Sequence, residues 1–181
     1  MTVRKIIRMG DPRLLQVSKS IDDPTSKEIS ALINDMQDTM AAYNGAGLAA
    51  PQIADFRRLV IFGGVSSSRY PDMDPVPFTI LMNPEIETIG DEIIESWEGC
   101  LSVPGMRGLV PRYQRIRYTG IDETGALIDR EVAGFHAIVV QHECDHLDGI
   151  LYPMRMDNMA MFGFEEELSQ APEEDNRGGQ E

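Results

Sequence analysis

The chain of 181 residues is long enough for one ordinary folded domain with a sizeable core. Its hydrophobic fraction of 42% and charged fraction of 25% are typical of a globular protein, and no apolar run approaches the roughly 20 residues of a membrane helix. The net charge of −14 disfavours general binding to nucleic acids and anionic membranes, and two cysteines are too few for the disulfide framework of a small secreted domain. We therefore expect no membrane partner, no specific nucleic-acid partner and two reduced thiols.

The first residues, MTVRKIIRMGDPRLL, carry basic side chains but no targeting signal. They lack the apolar stretch of roughly 7–15 residues and the small-residue cleavage site of a signal peptide. The segment is also poor in serine and becomes acidic too early for an organelle transit peptide. The sequence therefore predicts a cytoplasmic protein.

The first predicted element is an amphipathic helix. Thr25 and Glu28 have the spacing of a capping box, which marks its start. Asn44 followed by Gly45 can end the helix. Between them, apolar residues recur at helical intervals, namely Ile29, Ile33, Met36 and Met40.

The middle of the chain is rich in β-branched and aromatic residues, which predicts several strands. These predicted strands cover 58–62, 78–84, 91–97 and 113–122. The turn DETG at 122–125, followed by ALIDREV, predicts a hairpin, and the polar, proline-rich segment 63–77 predicts a loop. A second helix is expected from Gly134 to about Leu147, with Gly149 as its stop signal.

This order of elements predicts an α+β fold. One helix, then many strands, then a second helix is typical of antiparallel β-sheets packed around the late helix. We expect one folded domain over residues 1–168 and an acidic, disordered tail over residues 169–181. The tail prediction rests on composition, because residues 165–181 include seven acidic side chains, one basic side chain and no apolar periodicity after Leu168.

QHECDH, residues 141–146, is the stretch that first indicates chemistry. Positions four apart lie above one another on a helix, so His142 and His146 point the same way, with Glu143 beside them. Two imidazoles with a glutamate between them have the HExxH spacing of helix-borne metal sites. The same helix face is otherwise apolar and continues through Phe135, Ile138 and Val139.

A third ligand is needed to separate a metal site from two core histidines. Zinc peptidases of the usual kind take this ligand downstream, where the candidates are Asp148, Asp157 and Glu165–Glu167. Upstream, Cys100 follows a predicted strand in EGCLSVPG, and a Cys–His–His set leaves one tetrahedral position open for catalysis. The residues alone leave both choices open, and with them an HExxH-type metallopeptidase.

GAGLAAPQ, residues 45–52, is a stretch of mostly small residues. It has neither the spacing nor the lysine of a phosphate-binding loop. Its small residues instead let a backbone approach another group closely, and Gln52 brings a side-chain amide to the same place. A helix end followed by packing glycines is the alternative interpretation.

Together, GAGLAAPQ, EGCLS and QHECDH resemble the three motifs of the bacterial-type peptide deformylase family, in the same order. RMGDPRLL near the start and PGMRGLVPR after the cysteine also look like that family, so the resemblance runs from about residue 4 to residue 165. It implies a catalytic domain that removes the formyl group from the N-terminal methionine of newly synthesised proteins and releases formate. The implied partners are formyl-methionyl nascent peptides, with a transient position near the ribosome.

The resemblance also implies a metal centre carried by the central helix. Cys100, His142 and His146 match the family's ligands for one divalent metal ion, and Glu143 matches its general acid and base. Thiolate and imidazole ligands by themselves favour Zn²⁺. The family instead implies Fe²⁺ in the cell, with Zn²⁺, Ni²⁺ or Co²⁺ replacing it on purification, and we expect Fe²⁺ for function.

Further matches concern the substrate. Gln52 and the backbone N–H of Leu101 match the groups that hold the formyl oxygen. Gly45 matches a backbone contact to the peptide, and Arg107 matches a side chain at the mouth of the pocket. The apolar helix face beside the histidines suits an unbranched side chain such as methionine.

Two features depart from the family pattern. Where the family often carries a glutamate before its first motif glycine, this chain has Asn44, so we expect Arg112 to rest on Asp145 alone. Some members end in a partly basic helix that docks on the ribosome, whereas this chain ends in a short acidic segment. That end argues against the same mode of docking.

Overall fold

A computed structural model describes residues 2–64 and 75–168. Within these ranges the helices are α1 (Lys27–Ala42), α2 (Gly134–Leu147) and α3 (Glu165–Leu168). The strands are β1 (Gly47–Ala49), β2 (Leu59–Phe62), β3 (Thr79–Thr88), β4 (Ile93–Cys100), β5 (Val103–Tyr113), β6 (Arg115–Ile121), β7 (Leu127–Ala133) and β8 (Phe162–Phe164). Most of the predicted loop at 63–77 and all of the predicted tail at 169–181 lie outside the described residues. The assignment of residues 1–168 to one domain stays a prediction.

The strands form two antiparallel sheets. The larger sheet has the order β1–β2–β3–β6–β7, and the smaller has the order β4–β5–β8. β6 and β7 form the predicted hairpin, with Arg115 opposite Ala133 at one end and Ile121 opposite Leu127 at the other. The predicted α+β fold with antiparallel sheets is therefore confirmed.

α1 begins one residue later than the capping-box spacing predicts. Its N-cap is Ser26, whose Oγ accepts a hydrogen bond from the Ile29 N–H at 3.3 Å. The hydroxyl of Thr25 instead donates to Asp23 at 2.8 Å. The predicted apolar face is buried in a core with residues of β2 and β3, and Leu32 is buried there with it; the predicted residues are Ile29, Ile33, Met36 and Met40.

α2 packs against strands of both sheets, as the prediction of a central helix requires. Its residues from Ala137 to Leu147 are buried, apart from the partly buried His142. Val140 and Leu147 join the core formed with β2, β3 and β6. A helix buried on nearly all sides normally consists of apolar residues, so its buried polar side chains need specific partners.

The predicted strands do not include β5 or the short strands β1 and β8. β5 contains Pro104, Gly105, Gly108 and Pro111, residue types that disfavour strands because they lack an N–H donor or a side chain to pack. It is nevertheless paired with β4 along its length and with β8 at its centre. Tertiary pairing therefore overrides local preference. β4 extends beyond the predicted strand 91–97, so Cys100 lies at the end of a strand.

Candidate metal centre

Three side chains from two elements meet at one point. β4 ends at Cys100, and α2 carries His142 and His146 one turn apart. The Cys100 Sγ lies 3.2 Å from the His146 Nε2. One ligand atom from each of the three residues lies within 4.8 Å of the others, a spacing that suits a single metal ion.

The downstream ligand candidates do not join the two histidines. Asp148 accepts a hydrogen bond of 2.6 Å from Arg58, and Glu165 accepts one of 2.8 Å from Arg107. Asp157 is exposed. Within residues 2–64 and 75–168, none of these carboxylates joins the helix-borne histidines in a group that could hold a metal. The geometry therefore favours the upstream thiolate.

Glu98 orients the first imidazole of the cluster. Its Oε2 lies 2.7 Å from the His142 Nδ1, which leaves the Nε2 of that ring available as a ligand atom. Arg112 holds the same carboxylate, with Nε 2.7 Å from Oε1 and Nη2 3.0 Å from Oε2. A carboxylate behind a ligating histidine fixes the tautomer of the ring and its direction.

The surroundings of the buried cluster lower the pKa values of Glu98 and Cys100, which suits metal binding. Burial opposes ionisation of Glu98, but hydrogen bonds with Arg112 and His142 outweigh it and lower the pKa of Glu98 to about 2. Burial also opposes the Cys100 thiolate, yet His146 and His142 hold the pKa of that thiol well below its ordinary value. A thiolate is the form in which cysteine binds metals, so this donor set fits a divalent ion.

Glu143 lies beside the cluster with an unused oxygen. The residue is 5% exposed, and its Oε2 has no hydrogen-bond partner among the described residues. Burial raises the pKa of Glu143 to about 7, although the charges of His142 and His146 act in the opposite direction. A buried, unpaired carboxylate oxygen is costly for a purely structural residue, whereas a general base needs an oxygen that can reach a water.

Gln52 is held from three sides. Its Oε1 accepts from the Ala49 N–H at 2.9 Å. Its Nε2 lies 3.3 Å from the Cys100 Sγ and 3.2 Å from the Ser102 Oγ. The amide nitrogen therefore points toward the proposed ligand sulfur, where a donor to a substrate oxygen is needed.

The small residues of the stretch at 45–52 allow two close approaches. A Cβ added at Gly47 would come within 2.6 Å of the Glu143 Cδ, so only glycine leaves room for this carboxylate. A Cβ added at Gly45 would lie 3.0 Å from the Leu101 Cδ1. The predicted close approach of this backbone thus takes place at the candidate site itself.

A cavity opens next to the cluster. Gly45 and Leu101 line it together with Gln52 and Glu143. The predicted apolar face of α2 also lines it, through Phe135, Ile138 and Val139. All the predicted site residues except His146 and Arg107 therefore line a single cavity, and His146 contacts the cavity-lining Cys100 from behind.

Arg107 is the predicted substrate-binding residue that does not line this cavity. It lies next to the rim, since a Cβ added at the cavity-lining Gly99 would be 3.9 Å from the Arg107 Cγ. Its guanidinium forms an ion pair with Glu165 at 2.8 Å. A role at the mouth of the pocket stays a prediction.

Comparison with known proteins decides the family. The model of the polypeptide deformylase family matches residues 3–161. The chain belongs to this family. It is 58% identical to Peptide deformylase 1 of Nitrosomonas europaea over 166 residues, which are 92% of this chain and 94% of the relative. Peptide deformylase 2 of Ralstonia nicotianae is also 58% identical, with the same coverage.

Solved structures agree with this assignment to the deformylase family. The class I type b peptide deformylase of Acinetobacter baumannii with Met-Ala-Ser bound matches with a TM-score of 0.81 at 33% identity, over 86% of this chain and 99% of that chain. A peptide deformylase of Legionella pneumophila matches with a TM-score of 0.76 at 33% identity, over 87% and 88% of the two chains. The prediction of a deformylating hydrolase is confirmed, and the metallopeptidase alternative is not favoured.

Sequence reasoning missed part of the network behind this deformylase site. The prediction that Arg112 rests on Asp145 alone is wrong, because Arg112 pairs with Glu98 through two nitrogens as well as with Asp145 at 2.6 Å. The Nη2 of Arg155 also donates to the Oδ1 of Asp145 at 2.7 Å. Glu98 lies just beyond the predicted strand 91–97, and the register of β4 against β5 shifts between Glu98 and Cys100, so the two-residue repeat of a strand does not identify it.

No helix in the described part of the chain is long and apolar enough to cross a membrane.

Proposed function

We propose that the chain removes the formyl group from peptides that begin with formyl-methionine. One observation carries the proposal: Cys100, His142 and His146 meet beside the unpaired Oε2 of the buried Glu143, at the edge of an apolar cavity. Metal-dependent hydrolysis of an N-formyl peptide needs metal ligands, a base and a place for the substrate side chain. These residues provide all of them in one place.

Cys100, His142 and His146 would hold one divalent metal ion through sulfur and ring nitrogen atoms. When bound, such an ion supplies the Lewis acidity that makes a water acidic and a carbonyl electrophilic. Ligand chemistry alone favours Zn²⁺. We propose Fe²⁺ as the ion in the cell, with Zn²⁺, Ni²⁺ or Co²⁺ taking its place on purification.

Glu143 would carry both proton transfers. Its free Oε2 accepts a proton as the water oxygen forms a bond to the formyl carbon. The carboxylic acid then donates that proton to the nitrogen as the C–N bond breaks, so the products are formate and a peptide with a free amine. A pKa near 7, to which burial raises Glu143, suits a group that accepts and donates in one cycle.

Gln52 and the backbone N–H of Leu101 would stabilise the negative charge that develops on the formyl oxygen. In the structure the Gln52 Nε2 lies 3.3 Å from the Cys100 Sγ, so its N–H groups face the proposed metal ligand beside which the formyl oxygen would bind. The bond from the Ala49 N–H keeps the amide nitrogen on the side of the cavity. Donors fixed before the reaction need no reorganisation in the transition state.

The lining of the cavity suits methionine. Phe135, Ile138 and Val139 form its apolar side and offer contacts to an unbranched thioether side chain.

The peptide backbone would bind along the cavity wall at Gly45, with Arg107 near the mouth. The Acinetobacter baumannii relative is known with Met-Ala-Ser bound, the sequence of a deformylated product. We propose that the natural substrates are nascent chains in the cytoplasm, met transiently near the ribosome.

Formate release from formyl-Met-Ala-Ser tests the proposal directly. Glu143→Gln should keep a full complement of metal and lose on the order of 10²–10⁴ in kcat, the usual contribution of a positioned base. Cys100→Ala should lose both metal and activity. The matched control is Glu123→Gln on the exposed β6–β7 turn, which should change neither.

Near-normal turnover by Glu143→Gln would refute the role of Glu143. Full metal content in Cys100→Ala would refute the ligand set. Cleavage of internal peptide bonds without formate release would restore the metallopeptidase alternative.

A further inference from the structure

A second groove shares a wall with the catalytic cavity. It has a volume of about 1030 Å³ and runs between the N-terminal segment, the end of α1 and the turn between β4 and β5. Cys100 and Leu101 line both the cavity and the groove. A peptide that fills the cavity and continues past Leu101 would reach this groove.

The groove is basic in a chain that is strongly acidic. Four cationic side chains line it, those of Arg4, Lys5, Arg8 and Arg13, against a single carboxylate, Asp11. The chain as a whole carries a net charge of −14. Such a local reversal of sign creates a positive field that attracts anionic groups.

Two of the cations are available to a ligand. Arg13 is paired with Asp11 at 2.6 Å, and Arg4 is paired with Asp35 at 2.9 Å. Lys5 and Arg8 are exposed, and neither forms an ion pair with another described residue.

The segment that carries these cations is fixed to the catalytic motifs. The Ile7 N–H donates to the Gln52 carbonyl at 2.8 Å, and the Met9 N–H donates to the Ser102 carbonyl at 2.8 Å. Ile6 and Ile7 are buried, so the backbone between Lys5 and Arg8 is anchored. The positive charges thus keep a defined position relative to the reacting centre.

We infer that this groove binds the part of the formyl peptide downstream of methionine and favours aspartate and glutamate there. The inference rests on the proposed function and adds a substrate class to it. A long nucleic acid is the other anion that could bind, but beyond the groove it would meet the acidic remainder of the surface. A short acidic peptide segment fits within the positive region.

Three amidated peptides test the inference: formyl-Met-Ala-Ser, the same peptide extended by three glutamates, and the same peptide extended by three lysines. At low salt we expect a KM about tenfold lower for the glutamate peptide than for the lysine peptide, since two exposed ion pairs contribute a few-fold each. The kcat values should agree, because Lys5 and Arg8 would contact the peptide extension and not the reacting bond. The difference should vanish at about 1 M salt, where exposed charges are screened.

A charge-reversal variant tests whether Lys5 and Arg8 cause the preference for the glutamate peptide. Lys5→Glu/Arg8→Glu should abolish or invert the preference and leave kcat for formyl-Met-Ala-Ser unchanged. Lys27→Glu/Arg115→Glu changes the net charge equally at exposed positions outside the groove, and should keep the preference.

Equal KM values for the two extended peptides on the wild-type chain would overturn the inference, as would a preference that survives reversal of Lys5 and Arg8. Binding of a single-stranded RNA oligomer that is lost on reversal, without any peptide preference, would assign the groove to nucleic acid instead and also overturn it. Failure of the proposed function is a different result: none of the three peptides would release formate.

Discussion

Replacement of Arg112 by methionine tests whether the buried ion network supports the deformylase site. The Arg112 side chain is 4% exposed and lies between Glu98, also 4% exposed, and Asp145, 10% exposed. Methionine keeps most of the apolar volume but removes the charge and every donor. Both carboxylates then remain buried with less compensation, and loss of one partner from a buried pair typically costs about 3–5 kcal/mol.

The expected cost lies at the lower end of this range. Glu98 keeps its 2.7 Å contact with His142, and Asp145 keeps its 2.7 Å contact with Arg155. We therefore expect a loss of about 3 kcal/mol in the free energy of unfolding. Because Glu98 also loses the group that orients it, we expect the affinity of the site for Zn²⁺ to fall about 10- to 100-fold.

Urea unfolding of the metal-free chains, with chelator in every sample, measures the first quantity without a contribution from Zn²⁺ binding, and competition with a chelator measures the second. Arg58→Met is the matched control. Arg58 pairs with Asp148 at 2.6 Å, but Asp148 is 50% exposed, so this variant should lose less than about 1 kcal/mol and bind Zn²⁺ normally. Equal stability losses in Arg112→Met and Arg58→Met would contradict the reasoning about burial.

Two further substitutions test the cavity. Gly47→Ala should lower kcat at least about 100-fold while metal content stays normal, because the new Cβ displaces the Glu143 carboxylate that acts as the base. Gly45→Ala should lower kcat less, because its Cβ would meet the flexible end of the Leu101 side chain. Ile138→Phe should raise KM for formyl-Met-Ala-Ser but not for formyl-Gly-Ala-Ser, because it fills the space of the methionine side chain. Equal effects on the two peptides would place the side chain elsewhere.

The elements that could be predicted from the sequence are those in which local preference and tertiary environment agree. α1 has an apolar stripe that is also its buried face, and the β6–β7 hairpin has its turn residues where the chain turns. β5 shows the opposite case. Its prolines and glycines disfavour a strand locally, but pairing with β4 and β8 stabilises one. No property of residues 103–113 taken alone indicates the partner strands that stabilise it.

The predicted ligands follow from helix geometry and from resemblance, but the network behind them does not. His142 and His146 are one helical turn apart, so their common direction can be predicted from spacing alone. Arg155 lies ten residues after Asp145, beyond the end of α2, and its contact depends on how the chain folds back after that helix. Contacts of this kind depend on packing, which spacing rules do not describe.

Arg112 shows that the absence of one family residue does not predict which side chains pair with a buried charge. The family often has a glutamate at the position of Asn44, and its absence predicts an arginine supported by one carboxylate. A guanidinium that is 4% exposed, however, offers five donors, and leaving several of them without acceptors is costly. Glu98 and Asp145 together accept three hydrogen bonds from it. Because Glu98 also contacts His142, the side chain that neutralises Arg112 is the one that orients a proposed metal ligand, and this links the stability of the fold to the geometry of the site.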